Sequence, residues 1–263
     1  MEVHRWNFCF RKDRHERSST LTRQRLQKLI ASAGVCSRRK AEDLLRDHRV
    51  RVNGQLATIG DQADLDLDTI EVDGRPLQKA PPARVLLLNK PAGVICSCRD
   101  PQRRRTVLEL VPADLREGLH PVGRLDADSR GALLLSNQGE LTLKLTHPRY
   151  NHRKTYRITV AGLPDAEKLN QWRRGVVLDG TVTRPAEVKL VKRTHQTSVL
   201  EIVLREGRNR QIRRIALALG HRVLDLQRIA IGDLTLGSMG EGCWRELSKQ
   251  EWTGLISTEA DRA

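Results

Sequence analysis

Gly123-Arg124-Leu125-Asp126-Ala127-Asp128-Ser129-Arg130-Gly131, followed at once by Ala132-Leu133-Leu134-Leu135, is the stretch that decides how this chain is read. A polar loop with two carboxylates and an arginine runs straight into an apolar run of strand length, so the loop sits at the end of a buried strand. Loops placed there aim their side chains into a cleft. An isolated D-x-D is more often a solvated turn with a local ion pair, and what Asp126 and Asp128 do therefore depends on the segments around them.

Upstream, Val85 to Leu88 is a short apolar strand that runs into Asn89-Lys90-Pro91-Ala92-Gly93. Pro91 fixes the backbone and Gly93 permits unusual dihedrals, which together shape a defined turn. Lys90 and Arg124 are candidate substrate contacts, and Arg99 and Arg103 to Arg105 extend the basic character. Downstream, Asn137-Gln138-Gly139 turns the chain into a helical stretch, Glu140 to Thr146. Lys154-Thr155-Tyr156 then opens an alternating strand through Val160. Tyr156 follows His152, Arg153 and Lys154, an odd setting for an aromatic that only packs. Last comes Glu206-Gly207-Arg208-Asn209-Arg210-Gln211-Ile212-Arg213-Arg214, leading into Ile215 to Leu219 and Gly220. A Gly-led basic turn feeding a helix can cradle RNA phosphates, which makes Arg208, Asn209, Arg210 and Gln211 candidate contacts.

Composition sets the class of partner. The 263 residues hold 47 Lys plus Arg against 32 Asp plus Glu, a formal net charge of +15, so a polyanion is the expected partner. No apolar run approaches the roughly 20 residues of a membrane span, and no secretory signal pattern is present. The chain reads as cytoplasmic. Five cysteines, scattered and odd in number, fit reduced thiols. Cys96 and Cys98 form a C-x-C with no second pair to complete a zinc site, so no metal is expected. Aromatics make up only 3% of the chain, too few for the row of stacking platforms that single-strand readers use.

The first 21 residues are polar and aperiodic and read as a disordered tail. From Arg23 onward Leu26, Leu29, Ile30 and Ala33 mark one helical face with Gly34 as its C-cap, and Ser37 begins a second helix with Ala41, Leu44 and Leu45 inside. Asn53-Gly54 and Asp73-Gly74 each sit between strand-like triplets, a strong hairpin signal. Residues 21–60 carry nine Lys or Arg, Arg38, Arg39 and Lys40 among them, while residues 61–74 carry acids alone. A basic surface on a compact helix-helix-hairpin unit favours phosphate contact. This unit, over about Gln24 to Leu77, resembles the small RNA-binding module first known from a small-subunit ribosomal protein. The expected domains are 22–78 for that module, a Pro81-Pro82 linker at 79–84, and a catalytic domain at 85–258.

K-P-A-G, then G-R-L-D-A-D-S-R-G-A-L-L-L, then K-T-Y, then E-G-R-N-R-Q-I-R-R, in this order and behind that module, resemble the RsuA/RluB branch of pseudouridine synthases from about Gln24 to Trp252. The resemblance implies that Asp126 is the catalytic carboxylate, that Tyr156 stacks on the target base and accepts a proton, and that Arg213 pairs with Asp126. It implies isomerisation of a specific uridine in ribosomal RNA, of the large subunit by the N-R-Q-I-R-R form, with no cofactor. The partner would be ribosomal RNA or a subunit assembly intermediate, and the protein a monomer. Cys96-Ser97-Cys98, where relatives often carry Ser or Thr, and Ala132, where they often carry a larger apolar residue, depart from the pattern. The chemistry suits the residues: the uridine must be flipped out, then Asp126 either attacks carbon one of the ribose or removes the proton at carbon two. An arginine beside Asp126 would keep it ionised against desolvation.

Two other readings compete. A non-catalytic RNA-binding or ribosome-assembly protein explains the charge equally well, but needs no Asp126, Tyr156 and Arg213 together. An aspartyl-phosphate phosphohydrolase would read Asp126-Ala127-Asp128 as nucleophile and acid, but its motif directly follows an apolar strand, and here His120 to Arg124 precedes it. The strand signals come in hairpin-like groups, which predicts an α+β chain whose catalytic domain is a mixed, mostly antiparallel sheet with flanking helices.

Overall fold

The computed structural model describes residues 23–256; the expected N-terminal tail lies outside them. Contacts group the chain into two compact units, one of residues up to Leu29 with Arg38–Leu77, the other of Ile30–Ser37 with the chain from Gln78 onward.

Helices α1 (Leu26–Ser32) and α2 (Arg38–Arg46) precede a four-stranded sheet of β1 (Val50–Val52), β2 (Gln55–Leu56), β3 (Ile70–Val72) and β4 (Arg75–Pro76). The expected apolar faces are the buried ones: Leu26, Leu29 and Ile30 on α1, Ala41, Leu44 and Leu45 on α2. Gly34 ends α1 at φ +80°, with its N–H on Ala31 O and the Val35 N–H on Ile30 O, the paired bonds of a Schellman cap. Both hairpin turns adopt the left-handed conformation at Asn53-Gly54 and Asp73-Gly74, as a type I′ turn requires.

The second unit is built on a nine-stranded sheet. Its strands are β5 (Val85–Lys90), β6 (His120–Val122), β7 (Arg130–Ser136), β8 (Lys154–Ala161), β9 (Glu187–Arg193), β10 (Thr197–Leu204), β11 (Val223–Ile231), β12 (Leu234–Thr235) and β13 (Trp244–Glu246). The order is β9-β10-β8-β11-β7-β5-β13, with β12 on β11 and β6 on β7. Every pairing is antiparallel except β11 with β7, which run parallel through Gln227↔Arg130 and Arg228↔Gly131. Helices α3 (Gly139–Thr146), α4 (Ala166–Arg174), α5 (Gln211–Ala218) and α6 (Lys249–Ile256) flank the sheet.

β5 and β7 are buried on both faces, which explains their unbroken apolar runs. Val85, Leu87, Ala132 and Leu134 face Leu141 and Leu145 of α3, while Leu86, Leu88, Leu133 and Leu135 face Val94, Val107 and Val111. On the other half of the sheet, Ile158, Val160, Leu200 and Ile202 pack against Leu169 and Trp172 of α4 and Ile212 and Ile215 of α5. Gly131 sits where the halves meet: a Cβ there would lie 2.2 Å from Arg228 O, so the parallel pairing needs a glycine. Arg130 ties the same junction with a bidentate pair to Asp225 at 2.9 and 2.8 Å. Among the described residues no helix is long and apolar enough to cross a membrane.

Candidate active site

The 123–129 loop joins β6 to β7 and is held from beneath by the K-P-A-G turn. Lys90 has no exposed surface. Its ammonium donates to the carbonyls of Ser129 at 2.7 Å, Pro91 at 3.0 Å, Asp126 at 3.1 Å and Ala127 at 3.4 Å. The Gly93 N–H donates to Ala127 O at 2.7 Å, and Cys96 Sγ accepts the Leu125 N–H at 3.3 Å. Burial pushes the Lys90 amine below an ordinary lysine, with the charges of Asp128 and Asp126 opposing that shift, and burial raises the Cys96 thiol. Lys90, expected to touch substrate, instead lies inside the protein as a brace: carbonyls from both sides of the loop converge on it and leave no face for RNA.

Across the cleft, the basic turn enters α5 through Arg210 at φ +47°. That backbone places two arginines over the loop. Arg210 makes a bidentate pair with Asp128 at 3.1 and 3.0 Å and approaches Asp126 Oδ2 at 3.6 Å. Arg213 donates to Asp128 O at 2.9 Å and Ser129 Oγ at 3.2 Å, and its Nε lies 3.4 Å from Asp128 Oδ2. The expected Arg213–Asp126 pair is thus replaced by Arg213–Asp128, because a side chain from the first turn of α5 reaches the C-terminal end of the loop. Among the described residues, Arg210 is the cation paired with the Asp126 carboxylate. Its hydrogen bond holds the Asp128 carboxyl below the usual carboxylate range, with the Arg213 and Arg210 charges adding to it.

A cleft of about 430 Å³ opens between loop and turn, bounded by Cys96, Arg124, Asp126, Tyr156, Arg210 and Arg213 among others. It falls within the range of about 300–1,000 Å³ common for small-ligand sites. Tyr156 forms part of its wall and is 9% exposed. Two carboxylates line it. Glu206 is engaged, accepting from Gln211 Nε2 at 2.7 Å and the Arg184 N–H at 3.0 Å and facing Arg208 at 3.4 Å. Asp126 is the less engaged, its side chain a third exposed and its one ion pair among the described residues being with Arg210 at 3.6 Å.

The other expected contacts divide. Arg38, Arg39 and Lys40 open α2 in exposed positions, and Arg124, Asn209 and Arg210 are exposed at the cleft. Arg208 lines the cleft but spends its guanidinium on Thr181 O at 3.1 Å and Val182 O at 2.9 Å. Gln211 is 4% exposed and braces the turn, accepting from the Arg208 N–H at 3.1 Å. Its part is positional, contrary to the expected RNA contact, because the turn folds back over it. Two cations beside Tyr156, the half-buried Lys154 and the buried Arg228, also stand near the site; the basic run before Tyr156 is the one sequence signal for Lys154, and Arg228 has none. No group of His, Cys, Asp and Glu able to hold a metal occurs among the described residues.

Comparison with known proteins agrees with this geometry. The model of the RNA pseudouridylate synthase family matches residues 84–218, and the S4 domain model matches residues 24–65. The chain is 41% identical to the ribosomal large subunit pseudouridine synthase B of Bacillus subtilis (strain 168), over 87% of this chain and 93% of that protein. It is 35% identical to the dual-specificity RNA pseudouridine synthase RluF of Salmonella typhi, over 90% and 80%. A crystal structure of a pseudouridylate synthase aligns with a TM-score of 0.66 at 30% identity, over 88% of this chain and 99% of that one. With an S4 module ahead of a synthase fold, and an aspartate loop facing a tyrosine and an arginine-bearing turn, this chain belongs to the RsuA/RluB family of RNA pseudouridine synthases.

Proposed function

We propose that the protein converts a specific uridine of large-subunit ribosomal RNA to pseudouridine, with Asp126 as the catalytic carboxylate. The large-subunit assignment follows the name of the Bacillus subtilis relative. The observation that carries the role of Asp126 is the contrast within the cleft: Glu206 is saturated by donors, Asp128 is clamped by Arg210 and Arg213, and Asp126 keeps an open side chain. Arg210 and Arg213, by holding Asp128 and the loop backbone, keep the loop in place and set positive charge beside Asp126.

The flipped uridine enters the cleft against the Tyr156 ring, and the few kcal/mol lost in unstacking are offset by basic contacts from Arg124 and the S4 module. The bond from carbon one of the ribose to N1 breaks, the base turns, and a bond from carbon one to carbon five forms. Carbon five loses its proton and N1 gains one, so the reaction is an isomerisation in balance without redox change. Tyr156 accepts the proton from carbon five. Asp126 acts at the ribose, and deuterium at carbon two separates its two routes: slowed turnover assigns proton removal there, unchanged turnover assigns attack on carbon one. The partner is ribosomal RNA, free or in a subunit precursor in the cytoplasm, and the enzyme acts as a monomer.

Tritium release from ribosomal RNA labelled at carbon five of uridine tests the reading. Release by the wild type and none by Asp126→Ala is expected, with RNA binding retained. Equal release by both would remove Asp126 from the chemistry, and none from the wild type, on free RNA and on precursors, would leave an RNA-binding or assembly role.

A further inference from the structure

Behind the cleft lies a second, smaller cavity of about 150 Å³, separated from it by a shared wall of Gly123, Arg124, Tyr156, Glu206 and Gly207. Four strands line it: Val122 of β6, Leu134 of β7, Lys154 of β8, and Arg228 and Ile231 of β11. Lys154 and Tyr156 stand two apart on β8 and so share one face of the sheet, and Arg228 pairs directly with Tyr156 across β8 and β11. The cavity therefore opens beside the ring that bounds the catalytic cleft.

Its charge is one-sided. Arg228 is 3% exposed; Nε donates to Ala132 O at 2.6 Å, and Nη2 is buried without a hydrogen-bond partner. Lys154 has no acid within ion-pair reach among the described residues, and burial followed by the Arg228 charge lowers its amine to about 8. Arg124, Arg205, His147 and His152 add to the lining. The single acid, Glu206, is already taken by Gln211, the Arg184 N–H and Arg208. A buried and a half-buried cation side by side without a counter-ion are costly, and natural interiors keep such arrangements where an anion completes them. At about five times the ~30 Å³ share of a liquid water, the space admits a tetrahedral oxyanion with its remaining waters.

Building on the pseudouridine synthase reading, we propose that this cavity is a phosphate subsite, in which the Arg228 guanidinium and the Lys154 ammonium hold a phosphodiester of the substrate strand next to the flipped uridine. Arg228, anchored through Ala132 O, supplies a fixed charge, and Lys154 supplies a point charge on a flexible stem. Tyr156 and Arg124 form the partition, so one nucleotide can place its base on one side and an adjoining phosphate on the other. Seating the phosphate fixes the backbone at the reacting sugar and converts binding into alignment at Asp126.

Two experiments on the full chain test the subsite, with Lys154→Met as the variant because it keeps the apolar stem, whereas an Arg228 replacement would also break the bond to Ala132 O. In the first, crystals are soaked in tungstate, a phosphate mimic with strong anomalous signal. A peak between Arg228 and Lys154, absent from Lys154→Met, is expected; no peak in the wild type overturns the subsite whatever the enzyme's activity. In the second, a short RNA carrying the modified uridine is made with a neutral methylphosphonate at each flanking linkage in turn. One substitution should lower wild-type kcat/KM by roughly tenfold or more, the scale of a charge-assisted contact. Lys154→Met should be slowed to a similar degree on unmodified RNA and lose nothing further with that neutral linkage. Additive losses, or no loss at any linkage, overturn the assignment to the substrate strand; a tungstate peak together with no loss assigns the cavity to a free phosphate instead. Absence of turnover on unmodified RNA by the wild type fails the synthase reading separately, and the crystal result then decides the anion site alone.

Discussion

Replacing Lys90 by methionine distinguishes a brace from an RNA contact. Three of the four carbonyls around its ammonium lie at 2.7–3.1 Å, and each such charge-assisted bond is worth about 1.5–3 kcal/mol, a gross loss of about 4.5–9 kcal/mol. Removing the ammonium also removes the several kcal/mol spent on keeping a charge out of water, which leaves a net destabilisation of about 3 kcal/mol. For a protein of this size each kcal/mol shifts Tm by about 2–4 °C, so Tm should fall by about 6–12 °C. Thermal unfolding followed by circular dichroism reads this directly, with tritium release and RNA affinity measured in parallel. Because the bonds of Lys90 hold the backbone of Asp126, Ala127 and Ser129, turnover should fall more than affinity. An unchanged Tm with weakened RNA binding would refute the brace, since that is how a lysine on phosphate behaves.

Gly131→Ala should be among the most damaging single changes, because the new Cβ meets Arg228 O at 2.2 Å and φ is +110°; a loss above about 3 kcal/mol is expected by urea unfolding. Gly93→Ala, also at positive φ but with no atom within 4 Å of the new Cβ, should lose only about 1 kcal/mol. Replacing Arg38, Arg39 and Lys40 together by alanine should weaken RNA binding without touching fold, and flatten the plot of log affinity against log salt by about 2–3. For Lys154 the sign of the pH effect is fixed: below pH 8 folded and unfolded chains both hold its proton, while between about 8 and the 10.5 of an ordinary lysine only the unfolded chain does. Wild-type stability should therefore rise relative to Lys154→Met by up to about 1.4 kcal/mol per pH unit in that window and run parallel to it below.

Hairpins and strands were legible because their signals are local: Asn53-Gly54 requires positive φ wherever it occurs, and the 2-residue period of Lys154 to Ala161 survives in the alternation of buried and open positions on β8. The four segments of the site were legible as segments for the same reason. Their mutual geometry was not. A lysine after an apolar strand looks solvated until four carbonyls, three of them more than 35 residues away, are seen to converge on it. The division of labour between Arg210 and Arg213 turns on the left-handed backbone of Arg210, which no residue-type preference announces for arginine. The second cavity takes its cations from strands β8 and β11, and only the sheet order brings Lys154 and Arg228 together.

The parallel junction of β7 and β11 has a kinetic meaning. It rests on two register pairs joining residues about 97 apart in sequence, whereas the antiparallel neighbours on either side arise largely from closer stretches of chain. Contacts of such separation are slow to form, because the intervening chain must be closed into a loop before any bond is gained. The Asp126 loop belongs to one side of that junction, and Tyr156, Arg210 and Arg213 belong to the other. Each half can therefore collapse around its own apolar cluster while the active site does not yet exist, and catalytic competence should appear only when this long-range junction closes.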